Sequence, residues 1–251
     1  MQVVTNDRLV KRESRIGAGL LGVTFFLLGL GLFLSFQAER WLPVLEQSVP
    51  SGFVQWVPIA ITYAIVLVGM GFYYLGNARV RRYGPQHRQD SRLRQLLKGL
   101  DDRYVLYAYL GRKLPDYVLV GPSGVYVLTT RPQEGEITCR DDRWSSRGSL
   151  GRRIFGTLYG SPMGNPSYDT GQGVARVREL LRRNLGSDVP EPPVSGLIVF
   201  TGERVRLRVE RCSFPATTAK ELRKVVGKIK TRLNATQLGP VRAVFEATAG
   251  G

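Results

Sequence analysis

The chain has 251 residues, with 36 Lys plus Arg against 20 Asp plus Glu, a formal net charge of +16 and one histidine. A single histidine, His87, argues against a Ser-His-Asp triad and a His-rich zinc site, and the isolated Cys139 and Cys212 lack Cys-x-x-Cys spacing. There is no phosphate-binding loop, no G-x-G-x-x-G fingerprint and no internal repeat.

Residues 1–15 form an N-terminal segment carrying Arg8, Lys11, Arg12 and Arg15. Ile16 to Phe36 is an uncharged run rich in Leu, Phe, Gly and Val, and Trp56 to Gly76 is a second of the same length. About 20 apolar residues in a helix cross roughly 30 Å of hydrocarbon, so transmembrane helices are expected at 16–36 and 56–77. A cleaved signal peptide fits the first run poorly, because the run is long, no small-residue cleavage site follows it and a second span comes soon after. Arg79, Arg81, Arg82 and Arg88 follow the second span, in a basic juxtamembrane segment at 78–90. The loop at 37–55 has only Arg40, offset by Glu39 and Glu46. The positive-inside rule therefore predicts a multi-pass protein of the inner or plasma membrane, with both termini cytoplasmic and the loop external. Trp41, Trp56, Tyr73 and Tyr74 are placed as interfacial aromatics. Gly17, Gly19, Gly22, Gly29 and Gly31 would let the helices pack closely. Neither apolar run holds an ionisable residue, so the pair reads as an anchor and not as a transport path.

Residues 78–251 hold 31 Lys plus Arg against 16 Asp plus Glu, which is nearly all of the net charge. Such a surface suits anionic headgroups of the inner leaflet or a polyphosphate such as nucleic acid. In a cytoplasmic domain Cys139 and Cys212 are expected as reduced thiols.

Leucines at 93, 96, 97 and 100 predict a helix over 90–100. Strands are expected at 104–109 and 117–120, a turn at Gly121-Pro122-Ser123-Gly124, and a returning strand at 125–130. Residues 145–171, rich in Gly, Ser, Arg and Pro, read as a long loop. A helix follows over 174–185, strands over 197–201 and 204–212, and a basic amphipathic helix over 218–233. The alternation makes the class α/β or α+β.

Asp116, the Gly121–Gly124 turn, the strand ending in Thr129-Thr130-Arg131, then Gly135, Ile137 and Trp144, together resemble the core of the NERD (nuclease-related) domain. Asn165-Pro166, Gln172 at the head of a helix and the stretch from Gly196 to Thr201 extend the resemblance over about residues 88–230, within a domain at 91–251. The resemblance implies an α/β, restriction-endonuclease-like fold, a mixed sheet flanked by helices. It also implies a site in which two carboxylates hold Mg²⁺ and a nearby lysine steadies charge on the phosphate.

Mapped onto that pattern, Asp116 takes the place of the first carboxylate, and so is the metal-ligand candidate, while Asp90 takes that of a helix-borne Glu. Thr129 and Arg131 stand where the family has Glu and Lys. Threonine offers a neutral hydroxyl in place of a charged ligand, and arginine has a planar head that does not give up a proton. Glu134 and Glu136 lie close by, but Pro132 is expected to end the strand before them. Asp116 reads equally as a surface acid beside a turn. Arg147, Arg152 and Arg153 are candidates for a phosphate-contacting rim. Lys220, Arg223, Lys224 and Lys228, with Lys230 and Arg232, form either a polyanion-binding cluster or an ordinary solvated helix face.

The expected function is a membrane-anchored, catalytically inactive NERD-like protein that binds DNA, RNA or another polyanion and needs no cofactor. A scaffolding subunit among other membrane-complex subunits is the alternative, and an active Mg²⁺-dependent nuclease is the third reading.

Overall fold

The computed structural model describes residues 1–37, 40, 56–86, 88–147, 163–186, 189–228, 233 and 235–250. The chain forms two compact units, Asp7–Arg88, and Met1–Asn6 together with Gln89–Gly251.

In the first unit, α1 (Asp7–Phe36) and α2 (Val57–Tyr83) pack side by side in opposite directions. Both are long and apolar enough to cross a membrane, with mean hydropathy of 2.2 and 1.8 over their best 18-residue windows. Phe26, Phe36 and Leu67 are 68%, 83% and 67% exposed, whereas the core helix of a soluble protein would bury such side chains. Helix α1 begins at Asp7 and not at Ile16, because no Gly or Pro interrupts residues 7–15 and Glu13 is buried in an ion pair with Arg79 at 3.4 Å. The expected glycine contact is corrected in part. A Cβ on Gly17 would lie 3.1 Å from the Gly76 carbonyl oxygen, and one on Gly31 would lie 3.2 Å from Ile65, but Gly19, Gly22 and Gly29 face open space. The partners across the seam are Gly69 and Gly76 of α2. Thr24 Oγ1 lies 3.3 Å from the Gly69 carbonyl oxygen, and the Ser35 and Thr62 hydroxyls are 2.8 Å apart. Of the loop at 37–55, Trp41 lies outside the described residues, as does His87.

The second unit is a mixed α/β domain. Its elements are β1 (Gln2–Thr5), α3 (Asp90–Leu96), β2 (Val105–Ala108), β3 (Tyr117–Gly121), β4 (Gly124–Arg131), β5 (Gly135–Arg140), β6 (Arg143–Arg147), α4 (Pro166–Asn184), β7 (Val194–Phe200), β8 (Val205–Glu210), β9 (Ala216–Thr218), α5 (Leu222–Lys228) and α6 (Ala235–Gly250). Six strands form one sheet in the order β1-β2-β3-β4-β7-β9, and three form a second in the order β6-β5-β8. Strands β2, β3 and β4 are an antiparallel meander. Strand β7 then runs parallel to β4, which requires the crossover that α4 supplies.

The strand β1 was not expected. It pairs parallel to β2, Gln2 with Val105 through Thr5 with Ala108, so the first six residues belong to this domain and are not a separate tail. Residues 145–147 are strand and residues 166–171 are the opening of α4, so the loop expected there is shorter at both ends. The amphipathic helix expected at 218–233 is replaced at its start by β9, with α5 beginning at Leu222. Cys139 and Cys212, expected as separate thiols, are joined in a disulfide.

Strands β2 and β3 are buried throughout, which explains their continuous apolar sequence. One face of the sheet, with Val105, Tyr107, Val118, Val120 and Val127, packs on Val177 and Leu181 of α4 and on Val241 and Phe245 of α6. On α4 those two positions are four apart, on one side of the helix. The helix lies close because glycines face it. A Cβ on Gly196 of β7 would stand 2.2 Å from Thr170 Cγ2, inside the space the helix occupies. Replacing Gly196 by Ala is therefore expected to lower stability by about 1–3 kcal/mol through overpacking. Denaturant melts of the detergent-solubilised chain, followed by circular dichroism, check this value.

Candidate functional site

The turn at Gly121–Gly124 closes the β3–β4 hairpin, with Val118 opposite Val127 and Val120 opposite Val125. Continuing that antiparallel register past the last paired residues sets Asp116 opposite Thr129. Side chains alternate along a strand, so Val127, Thr129 and Arg131 share the face covered by α4. The hairpin therefore brings together three of the four positions that the sequence singles out.

Their contacts fix what they do. The Thr129 and Thr170 hydroxyl oxygens are 2.7 Å apart, and Thr170 Oγ1 is also 2.7 Å from the Pro166 carbonyl oxygen. Thr170 is the donor in both contacts, so its one proton is shared between the Thr129 hydroxyl and the Pro166 carbonyl. Arg131 is a clamp. Its Nε donates to the Met163 carbonyl at 3.1 Å, one terminal nitrogen donates to the Thr130 carbonyl at 3.2 Å, and the other pairs with the Asp169 carboxylate. All three nitrogens are engaged, and the side chain is 19% exposed.

The first turn of α4 receives these contacts. Asn165 Oδ1 caps it by accepting from the Tyr168 N–H at 3.1 Å, and Trp144 Nε1 donates to Ser167 Oγ at 2.9 Å. Asp169 is the acid that the sequence reading missed. Its position in a first turn behind an Asn-Pro cap was the available signal, since acids are favoured there. Glu134 and Glu136 are turned to other partners. Glu134 accepts from the Glu203 N–H at 3.2 Å, and Glu136 pairs with Arg208 at 3.1 Å.

Asp90 is not collected with Thr129 and Arg131. It opens α3, next to Gln89, whose N–H donates to the Tyr117 hydroxyl at 2.8 Å. Tyr117 points away from the α4 face, since its neighbour Val118 points towards it. The Tyr109 and Tyr117 hydroxyls are 2.7 Å apart. Burial pushes both phenols above the ordinary tyrosine value, and the charges of Asp116 and Asp90 add to the shift. Both phenols therefore remain neutral donors across the physiological range.

This donor set does not fit Mg²⁺. A hard dication wants carboxylate and carbonyl oxygens. On the strand face the site offers the carboxylate of Asp116, opposite a hydroxyl already bonded to Thr170, with a guanidinium two residues further along the strand. No step through a metal follows from it.

Positive charge is gathered elsewhere. A cleft of about 690 Å³ lies between β1 and α3, lined by Val3, Thr5, Asp90, Arg94, Gln95 and Lys98 among others. Arg223 on α5 reaches this region, donating to the Lys98 carbonyl at 3.3 Å. Lys220, Arg223, Lys224 and Lys228 are all exposed. Arg147 closes β6 opposite Glu136, while Arg152, Arg153, Lys230 and Arg232 lie outside the described residues.

A second basic surface was missed by the sequence reading. In β8, Arg206 and Arg208 are exposed while Leu207 packs inward. Arg206 aligns with Glu136 and Arg208 with Thr138 of β5, and the exposed Arg140 and Arg143 pair at the end of the β5–β6 hairpin. The signal was the alternation Val205-Arg206-Leu207-Arg208-Val209, a strand with one cationic face. Compared with family models, with curated proteins and with solved structures, the chain matches none. Fold and site thus define a mixed α/β domain joined to two helices of membrane-spanning length.

The Arg131 clamp generates a prediction. Arg131→Ala is expected to destabilise the domain by about 2 kcal/mol, as for a charge-assisted bond left unmade. Arg131→Lys should restore less than half of this, because an ammonium does not reproduce the planar fork. Thermal melts of the two variants check the order wild type, Lys, Ala.

Proposed function

We propose that this chain is a membrane-anchored, nuclease-related domain that binds a nucleic acid or a similar polyanion at the inner face of the membrane and does not cleave it. The observation that carries the reading is one face of the β6-β5-β8 sheet, where the exposed Arg140, Arg143, Arg206 and Arg208 outnumber Glu136, paired with Arg208, and Glu210. Planar guanidinium groups at strand spacing suit phosphate oxygens. The exposed α5 cations and the cleft with Arg94 and Lys98 add to the same positive field.

The nuclease-related part of the reading draws support from the sequence resemblance and from the mixed sheet with Asp116 opposite Thr129. The non-cleaving part of the reading draws support from the engagement of Thr129 by Thr170 and of Arg131 by Asp169. The orientation draws support from β1. Residues 1–6 and 89–250 belong to one unit, so the chain leaves that unit into α1 and returns to it from α2. Both ends of the hairpin then lie on one side of the membrane, and the flanking arginines favour the cytoplasmic side.

The test uses the full chain in detergent or nanodiscs with labelled duplex DNA, single-stranded DNA and RNA, followed by anisotropy across salt concentrations. Affinity should fall steeply with salt, and Arg206→Glu with Arg208→Glu should flatten the log–log slope by roughly 2, about 0.9 per lost phosphate contact. The DNA should remain intact with Mg²⁺ or Mn²⁺. Absence of binding at low salt would falsify the polyanion reading, and metal-dependent nicking abolished by Asp116→Ala would overturn the loss of catalysis.

A scaffolding role is favoured by one separate observation. Gly19, Gly22 and Gly29 leave open space on the side of α1 turned away from α2, a surface that a helix of another subunit fits closely. Mild solubilisation should then recover a stoichiometric membrane partner that Gly22→Leu releases, whereas a monodisperse monomer of the unaltered chain would count against this role.

A further inference from the structure

We propose that Cys139, Cys212 and Asp142 form a site for a zinc-class divalent metal ion when the two cysteines are reduced, and that the disulfide is the oxidised form of the same site. The three ligand atoms lie within 4.8 Å of one another. They converge from three places in the fold. Cys139 stands on β5, fully buried, and aligns with Val209 of the parallel strand β8. Cys212 lies just beyond the end of β8. Asp142 sits in the two-residue turn between β5 and β6, where Asp141 and Asp142 both have positive φ, 51° and 57°. That is the geometry of a tight hairpin turn, and it holds Asp142 beside the two sulfurs.

The carboxylate is also oriented. Asp142 accepts from the Ser213 N–H at 2.9 Å and from the Ser213 hydroxyl. These bonds, and one from Ser167, hold its carboxyl below the usual carboxylate range, so it is ionised at neutral pH. A ligand carboxylate steadied by neighbouring hydrogen bonds is the usual arrangement around a bound metal.

The chemistry selects the ion. Two sulfurs and one carboxylate favour zinc over Mg²⁺ or Ca²⁺, which prefer all-oxygen sets. With Zn–S about 2.3 Å, two sulfurs around a tetrahedral zinc stand about 3.8 Å apart. Breaking the disulfide moves the sulfurs towards that separation. Three protein ligands leave the fourth position to water. A cytoplasmic domain, which rests on the orientation proposed above, keeps such a pair reduced. A thiolate buried at Cys139 without a cation would be costly, and a bound dication offsets that cost.

The two states interconvert in balance. Binding releases two protons, as the two thiols become thiolates on the metal. A hydroperoxide then accepts two electrons from the thiolates: with hydrogen peroxide and two protons, the products are the disulfide, free Zn²⁺ and two waters. Cys212, partly exposed, is the sulfur an oxidant reaches first.

The test takes the full chain in detergent, reduced with a phosphine that carries no thiol, and titrates Zn²⁺ against a chromophoric chelator and Co²⁺ by absorbance. One equivalent should bind, with a thiolate-to-cobalt charge-transfer band. Asp142→Asn should weaken affinity on the order of tenfold or more, and Cys212→Ser should remove the charge-transfer band that two thiolates give. Oxidation with hydrogen peroxide should consume two thiols and abolish binding until the phosphine restores it. The proposal is overturned if the reduced chain, with both thiols titrating, takes up no metal, or if binding is unchanged in both Cys139→Ser and Cys212→Ser. Circular dichroism of the Asp142→Asn and Cys212→Ser chains separates a lost ligand from a lost fold. The assay reads only the cysteine site, so its failure leaves polyanion binding untouched, and the converse holds.

Discussion

The pairing of residues 2–5 with residues 105–108 constrains the rest of the chain most. Parallel strands cannot be joined by a tight turn and need a long connection. Here the connection holds two helices of membrane-spanning length and α3. The strand at the start of the chain is a short one, with an outer edge unpaired among the described residues. Its four residues make a domain that begins before the two long apolar helices and resumes after them. An isolated fragment starting at residue 78 would therefore lack β1 and one edge of its sheet.

The second constraint is the closeness of α4 to the sheet. Gly196 and Gly173 remove the side chains that would hold the helix away, and the first turn of α4 then reaches β4 directly. At that distance a glutamate at position 129 would meet Thr170, while threonine exchanges a short hydroxyl bond with it. Position 131 needs a group that satisfies two backbone carbonyls and a carboxylate at once, and a guanidinium does this where an ammonium would not. Thr129 and Arg131 are thus one matched set with Thr170 and Asp169. Their identities are explained together, as a packed joint between strand and helix.

Much of this was legible in the residues, for identifiable reasons. The two long helices follow from uninterrupted apolar runs, and β2, β3, β4 and β7 follow from continuous apolar stretches bounded by turn residues. The opening of α4 was hidden because Ser167, Asp169, Thr170 and Gly171 are poor mid-helix residues, although the Asn165 cap and Pro166 announce a start. Strand β1 has too few residues to show a pattern, and only its distant partner gives it a role. Strands β5 and β6 are short and polar on one face, so the sequence assigns them no element beyond the loop expected from residue 145, and the arginine face of β8 is hidden for the same reason. The proximity of Cys139 and Cys212 depends on the β5–β8 pairing across 73 residues of sequence, which no local pattern encodes.

The same first turn of α4 joins the two sheets. Ser167 receives the indole N–H of Trp144 from β6, while Asp169 and Thr170 bond to β4. Ser167 also donates to Asp142, which stands beside the cysteine pair. One helical turn therefore touches the arginine-bearing sheet, the hairpin with Asp116 and the redox-sensitive corner. A change at Cys139 and Cys212 that moved Asp142 would reach Ser167 first, and through the rigid turn would reach the Arg131 clamp. A contiguous hydrogen-bonded path thus runs from Asp142 through Ser167 to the turn that carries Asp169 and Thr170.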